Sequence, residues 1–310
     1  MFKRKLRCMQ IIYVKPKQNQ QYPNSLICQR RRNNQQLTIT QIRLHSVLLS
    51  LTNEGLQIKP GPSEAKTSED CKSVIVKPMS KVNLLAEFSK MCEMQLGKFK
   101  SCKIEDFEIL KTVGKGAYAE VKEAIHKSTR EVVALKIYEK SKLLDQVKRA
   151  SLLREIRILE SLNHPNIVKI YACIDDGNKI VIVLELVKGI PLKTYLQKKE
   201  NVDASESEKL ALFKQIAMAI AYCHSKSVAH RDLKMENILI TPQKYVKIID
   251  FGFSVRTKPD RKCKILCGTP NYMAPEIISK HEYYPQPTDV WALGVILYHT
   301  LCGVFPFQSN

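Results

Sequence analysis

His230-Arg231-Asp232-Leu233-Lys234-Met235-Glu236-Asn237 is followed, eighteen residues after Asp232, by Asp250-Phe251-Gly252, and then by Gly268-Thr269-Pro270-Asn271-Tyr272-Met273-Ala274-Pro275-Glu276. Each short piece of these runs can arise by chance. Their order and spacing along one chain cannot be dismissed that way, so the rest of the sequence is read outward from them.

Upstream lies Gly114-Lys115-Gly116-Ala117-Tyr118-Ala119-Glu120-Val121. Glycines let a backbone approach phosphates without a Cβ clash, but a lone Gly-x-Gly is weak evidence, and Ala119 stands at the third glycine position. A dinucleotide-binding loop opens a helix, whereas here Val121 to Ile125, Lys127 to Arg130 and Val132 to Ile137 read as a hairpin. Twenty-two residues after Gly114, Lys136 closes the buried run Val133-Ala134-Leu135. A buried ammonium needs an anionic partner, and Glu155 on the following helix is available. Phosphoryl transfer asks little covalent chemistry of a protein. It needs a carboxylate to orient the attacking hydroxyl, metal ligands, and positive charge over the phosphates. Asp232, the pair Asn237 and Asp250, and Lys136 with Lys234 supply those groups.

The regular elements start near Ile104. Apolar runs at Phe107 to Val113, Val121 to His126 and Val132 to Tyr138, separated by turn-rich pieces, predict an antiparallel meander. Leu143 to Leu162 carries apolar residues at 152, 153, 156, 159 and 162, the spacing of an amphipathic helix, and His164-Pro165 ends it. Strands at Ile167 to Ile174 and Lys179 to Leu186 precede a largely helical remainder, notably Glu206 to Ser225 and Asp289 to Leu301. A β-rich half followed by an α-rich half predicts an α+β chain with two lobes and a cleft between them.

Composition bounds the rest. With 44% hydrophobic and 26% charged residues in 310, the chain reads as a globular protein, and collagen-like or wholly disordered readings are excluded. The most apolar early segment, Leu37 to Leu51, is interrupted by Gln41, Arg43 and His45, so no transmembrane segment is expected, nor a signal peptide. The ten cysteines form no Cys-x-x-Cys pair and no disulfide framework. The net charge of +20 is uneven: residues 1 to 53 hold ten Lys or Arg and no Asp or Glu. With its Gln/Asn clusters and a Lys-Pro-Gly-Pro break at 59 to 62, the stretch 1–100 is expected to be a largely disordered basic extension. It is either a solvated tail or an arm for an acidic partner or anionic surface. Nothing like an aromatic and basic platform predicts specific nucleic-acid binding. A loose fit to a mitochondrial transit peptide is weakened by the excess of Lys and Gln over Ser, and a cytoplasmic or nuclear location is expected.

From about Ile104 to Asn310 the sequence resembles the eukaryotic protein kinase family. Lys234 and the later Gly-Thr-x-x-Tyr-x-Ala-Pro-Glu resemble its serine/threonine branch. Leu266 to Tyr272 and Asp289 to Val295 are similar to the calcium/calmodulin-dependent, AMP-activated and polo-type groups. The resemblance implies a small sheet-and-helix lobe over 101–187 and a partial helical lobe over 188–310 that lacks its last helices. It implies ATP and Mg2+ as cofactors and Ser/Thr-bearing proteins as substrates. Val113, Gly114, Lys115, Gly116, Ala117, Tyr118, Ala119 and Val121 would enclose the nucleotide with Ala134, Leu239 and the hinge residues Glu185 and Val187. Leu184 would be the gatekeeper before that hinge. Lys136, held by Glu155, would position the phosphates, and Asn237 and Asp250 would hold the metal. Asp232 would orient the substrate hydroxyl, Lys234 would meet the transferring phosphate, and Thr269 would bond to both. Leu159, Ile170, His230 and Phe251 would stack as a spine anchored by Asp289.

Three departures from the family pattern stand out. Ala119 replaces a glycine. Lys258 through Gly268 contains no Ser, Thr or Tyr, and Ile265 occupies the usual phosphoacceptor position, so the segment is expected to be ordered by packing of Ile265 and Leu266, by Asp260 or by a partner. The chain also stops where the family's helical lobe continues and supplies an arginine for Glu276, which implies a fragment or a reduced lobe. Pro191 stands where basophilic relatives carry Glu, leaving Glu236 as the acidic contact. A protein kinase is therefore expected, with a nucleotide-binding pseudokinase or scaffold as the alternative.

Overall fold

Val132–Glu139 shows how the first half is built. Successive side chains of a strand point to opposite faces. Val133 and Leu135 are buried in one apolar layer with Phe107, Ala124, Val181 and Val183. By the same alternation Ala134, Lys136 and Tyr138 face the other side, where Tyr138 joins Ile180, Ile182 and the helix that crosses beneath. Lys136 is thus carried into the interior by its place in the pleat.

The computed structural model describes residues 99, 102–116, 119–143, 145–198 and 204–307. Apart from Phe99, the basic extension lies outside the described residues, as do Ala117 and Tyr118 of the glycine loop. Five antiparallel strands, β1 (Phe107–Lys115), β2 (Ala119–His126), β3 (Val132–Glu139), β4 (Ile170–Asp176) and β5 (Lys179–Glu185), form one sheet in the order β1-β2-β3-β5-β4. Phe99 is 5% exposed and packs edge-on against Phe107 and Tyr171, so the buried layer recruits a residue from before the expected start.

Helix α1 (Gln146–Ser161) is shorter than the expected 143–162 stretch because Asp145 caps it, accepting a hydrogen bond from the Val147 N–H at 2.8 Å. Residues Lys140–Leu143 instead make a 3-10 turn. The fourth strand starts at Ile170 rather than Ile167, since Asn163 to Lys169 are spent on the turn after α1.

Beyond the hinge come β6 (Ile190–Pro191), α2 (Leu192–Gln197) and α3 (Glu206–Ser225). The Ser205 side chain accepts from Glu208 N–H at the start of α3, which buries Leu212, Phe213, Ile216, Ile220 and Cys223. Short strands β7 (Val228–Ala229), β8 (Ile238–Ile240), β9 (Val246–Ile248) and β10 (Val255–Arg256) frame the loops that carry the motifs, and α4 (Pro275–Ile278) follows. Helix α5 covers Pro285–Cys302, four residues earlier than the expected Asp289. Prolines 285 and 287 fall in the first turn, where the N–H groups lack intrahelical acceptors anyway. Among the described residues no helix is long and apolar enough to cross a membrane.

Candidate active site

The loop after β7 is held from below by α5. Asp289 is 1% exposed. Its Oδ2 accepts the backbone N–H of His230 at 2.8 Å, its Oδ1 accepts that of Arg231 at 2.8 Å, and His224 Nε2 lies 2.9 Å from Oδ2. Burial alone would raise the Asp289 carboxyl, yet the His224 hydrogen bond and neighbouring positive charge hold it below the usual range. The His230 ring meets Phe251 edge-on at 4.8 Å, and Phe251 is fully buried beside Leu159 and Ile170 in the same core. These contacts bring the expected spine residues together.

Asp232 is 4% exposed and surrounded by donors. Thr269 Oγ1 donates to its Oδ1 at 2.8 Å, Lys234 Nζ to its Oδ2 at 2.8 Å, and Asn237 Nδ2 to its backbone oxygen at 3.0 Å and to Oδ2 at 3.3 Å. Lys234 Nζ also reaches Thr269 Oγ1 at 3.2 Å. The four side chains therefore form one closed network at the end of the loop after β7.

A second network spans the cleft. Lys136 Nζ donates to Glu155 Oε1 at 2.7 Å and lies 3.5 Å from Asp250 Oδ1, while the Tyr138 hydroxyl donates to Glu155 Oε2 at 3.2 Å. Burial would lower the Lys136 pKa, but the Glu155 carboxylate outweighs it and the ammonium is held well above its ordinary value. Burial likewise opposes ionisation of Asp250, and the Lys136 charge brings its pKa below the usual range. Ser151 on α1 donates to the Gly252 carbonyl at 3.0 Å, tying the helix to the Asp-Phe-Gly turn.

Two non-glycine residues here adopt left-handed backbone: Arg231 at φ 66° and Asp250 at φ 63°. Gly268, at φ 107°, has no such cost, and a Cβ there would lie 2.9 Å from the Arg231 carbonyl oxygen.

The expected nucleotide residues surround the cleft as follows. Gly114 pairs with Val121 across the β1–β2 ladder, and Val113, Lys115 and Gly116 are exposed. Gly116 N–H donates to the Ala119 carbonyl at 2.8 Å, so the loop closes as a hairpin with Ala119 as the first residue of β2. Val121 pairs with Lys136, and Ala134 with Leu184. Leu239 is half-buried on β8, and Glu185 and Val187 are half-buried in the hinge. The Glu185 carboxylate is committed to Lys247 at 2.7 Å, so its side chain faces away from nucleotide chemistry. Glu236 is paired with Lys193 at 3.0 Å.

The expected packing of Ile265 and Leu266 is not what the structure has: they are 61% and 55% exposed. The segment is held by polar contacts instead. The Tyr283 hydroxyl donates to the Ile265 carbonyl at 2.7 Å, and Cys263 exchanges backbone hydrogen bonds with Tyr283 at 2.8 and 2.9 Å. Tyr138, Ser151 and Tyr283 were not singled out by sequence reading. Their roles depend on contacts between segments far apart in the chain, and no local pattern marks them.

Comparison with known proteins agrees with this geometry. The family described as protein kinase domain matches residues 107–310. The chain is 40% identical over 203 residues to NUAK family SNF1-like kinase 1 of Mus musculus, covering 66% of this chain and 30% of that protein. It is 42% identical over 207 residues to SNF1-related protein kinase catalytic subunit alpha KIN12 of Arabidopsis thaliana, covering 67% and 41%. It is 39% identical over 213 residues to serine/threonine-protein kinase SIK1 of Mus musculus, covering 69% and 27%. The chain thus spans less than half the length of these curated relatives, two of which are named as SNF1-like or SNF1-related kinases, in line with the AMP-activated resemblance. With the family match running from the first strand of the sheet to Asn310, the chain belongs to the protein kinase domain family.

Proposed function

We propose that the chain transfers the γ-phosphoryl group of ATP to Ser or Thr hydroxyls of protein substrates. The observation that carries this reading is the closed network around Asp232, in which Lys234, Thr269 and Asn237 all donate to one residue. Such a carboxylate is fixed in orientation before a substrate arrives, which suits it to align an incoming hydroxyl and accept its proton. Lys234 lies beside it to meet negative charge on the transferring group, and Thr269 ties the substrate-side segment to the same carboxylate.

The residues present fit the family's cofactors. Asp250 and Asn237 offer hard oxygen donors for Mg2+, which is characteristically bound by one or two protein ligands together with phosphate oxygens. Bound Mg2+ would neutralise charge developing on those phosphates. Lys136, oriented by Glu155, would hold the remaining phosphate charge. Ala134, Val121 and Leu239 would enclose the base, with the backbone of Glu185 and Val187 fixing its edge. Retention of Lys136, Glu155, Asp232, Asn237 and Asp250 in working contact favours an enzyme over a scaffold. With Pro191 in place of a Glu and Glu236 already paired with Lys193, no preference for basic substrates is inferred.

The test is Mg2+-dependent incorporation of phosphate from ATP into a generic protein substrate by the wild-type chain, Asp232→Ala and Asp250→Ala. Both variants should lose activity by about a hundred-fold or more. Equal incorporation by wild type and Asp232→Ala would overturn the reading.

A further inference from the structure

The segment between the Asp-Phe-Gly turn and Thr269 carries more positive charge than its own acids answer. Residues 256 to 268 hold Arg256, Lys258, Arg261, Lys262 and Lys264 against a single acid, Asp260, and all five cations are exposed. Lys264 is paired with Glu282 at 2.9 Å. Lys262 lies over the Tyr284 ring, 5.5 Å from its centroid. Arg256, Lys258, Arg261 and Lys262 form no ion pair among the described residues. Like charges crowded along a short surface segment repel one another, and a ligand with several negative charges relieves that repulsion.

The backbone holds these charges in place. At one end β10 pairs with β7, with Arg256 opposite Val228, and Thr257 N–H donates to the Ser227 carbonyl at 2.7 Å. At the other, Cys263 and Tyr283 exchange their backbone hydrogen bonds, and the Tyr283 hydroxyl holds the Ile265 carbonyl. Side chains alternate along such extended backbone, so Lys262 and Lys264 share the face opposite half-buried Cys263. The segment then runs on to Thr269, whose hydroxyl donates to Asp232 at 2.8 Å. Lys264 stands five residues before Thr269, a span of at most about 18 Å. An extended peptide whose hydroxyl lies at Asp232 covers that span with about five residues. Glu236, the acid beside this network, is already paired with Lys193 at 3.0 Å, so the excess of exposed charge is positive.

We propose that this segment selects acidic protein substrates, in which the acceptor Ser or Thr is flanked within about six residues by several Asp or Glu. The inference rests on the kinase reading above for the transfer, and on the segment alone for the binding. Carboxylates on an extended peptide meet several of these ammonium and guanidinium groups at once, and the arginines can take them in bidentate fashion. Each exposed pair is weak by itself, so recognition depends on their number. A peptide is favoured over a nucleic acid because the segment leads directly to the residue that would align the peptide's hydroxyl.

The experiment uses the full chain and three peptide libraries with a fixed acceptor serine. One has Asp and Glu at several positions within about six residues before the serine, one has them after it, and the third has Asn and Gln at all of those positions. Binding is read by fluorescence polarisation and transfer by phosphate incorporation from ATP. At least one acidic library should bind about five-fold more tightly than the amide library and be modified about five-fold faster at low concentration. Both ratios should fall towards one in about 0.5 M salt. Lys258→Gln, Arg261→Gln and Lys262→Gln combined should collapse them too. Lys103→Gln, Lys127→Gln and Lys179→Gln combined, which remove the same charge from exposed positions of the sheet half, should not. Matching melting temperatures show that all three chains are folded. Equal binding of acidic and amide libraries by the wild type, an undiminished ratio in the segment variant, or an equal loss in both variants overturns the proposal. Homopolymeric RNA that binds the wild type and not the segment variant, with no preference for acidic peptides, would assign the segment to nucleic acid and also overturn it. Acid-dependent binding that the segment variant loses, with no transfer to any library, would uphold the segment and remove the kinase reading instead.

Discussion

Asp289 and Arg231 are joined by a hydrogen bond from the Arg231 N–H to Asp289 Oδ1 at 2.8 Å, although one belongs to a helix and the other to a loop 58 residues earlier. The other oxygen of the same carboxylate accepts from His230. Asp289→Ala would leave both N–H groups buried without an acceptor, at a cost of about 3 kcal/mol. Urea unfolding should show that loss, together with a fall in transfer rate as the loop before Asp232 loosens. An unchanged midpoint would mean that the loop is held by something else.

The Lys136–Glu155 pair should behave asymmetrically. Lys136→Met leaves Glu155, 4% exposed, without its cation and should destabilise the fold by about 3 kcal/mol. Adding Glu155→Gln to that variant should restore much of the stability and none of the activity. ATP-analogue binding should be weakened less for the base than for the phosphates, as judged by comparing adenosine with ATP. If the double variant is no more stable than the single one, the two residues do not act as a pair.

Phe99 places the start of the packed unit before the sequence boundary at 100. A chain shortened to begin at Ser101 should melt at a lower temperature than one that begins a few residues before Phe99, and Phe99→Ala in the full chain should cost about 3 kcal/mol. Both comparisons are made by thermal melting. Equal melting of all these proteins would mean that the Phe99 ring adds nothing to the layer of Phe107 and Tyr171.

Control by phosphorylation of the 258–268 segment is not expected. Phosphatase treatment of the chain should leave the proposed transfer rate unchanged, and Thr257→Ala should do little. Ile265→Thr places a hydroxyl at a 61% exposed position, where an upstream kinase can modify it and add charge to the segment. Loss of most of the activity on dephosphorylation, mapped to Thr257, would show that the phosphate had moved within the segment.

Two histidines set an acid limit. Burial lowers the pKa of His164 and of His299, with Lys247 contributing to the first. Because the folded values lie below the ordinary histidine value of 6.5, the unfolded chain takes up protons first as pH drops through that range. Stability should be constant above it and decline below it until the folded groups also protonate. Urea midpoints at about pH 7.5 and 5.5 should differ, and His299→Leu should reduce the difference. An identical difference in the variant would remove His299 from the account.

How much could be read in advance follows from what each feature depends on. Lys136, Asp232 and Asp250 were legible because phosphoryl transfer fixes both residue type and spacing, and the pleat and hairpin that carry them leave a period in the sequence. Helix α3 was read to the residue because Ser205 caps it and its apolar face repeats. Helix α5 was read late because prolines 285 and 287 look like breakers unless they are placed in a first turn. The fate of Ile265 and Leu266 was illegible: two apolar residues suggest packing, and only the fold shows that Tyr283 takes the carbonyl while their side chains face outward. Ser151 was hidden for the same reason, being one helix residue among several until α1 is laid against the Asp-Phe-Gly turn.

The left-handed backbone at Arg231 and Asp250 has a bearing on how this sequence can change. A bulky residue in that conformation costs on the order of 1 kcal/mol, which glycine would relieve. Glycine at either place would also delete the guanidinium or the carboxylate around which the cleft is organised. Selection for heat tolerance therefore has no route through these two positions, and engineering towards it belongs at exposed positions away from the cleft residues, such as Ile109 and Leu110 of β1, which lie open to solvent.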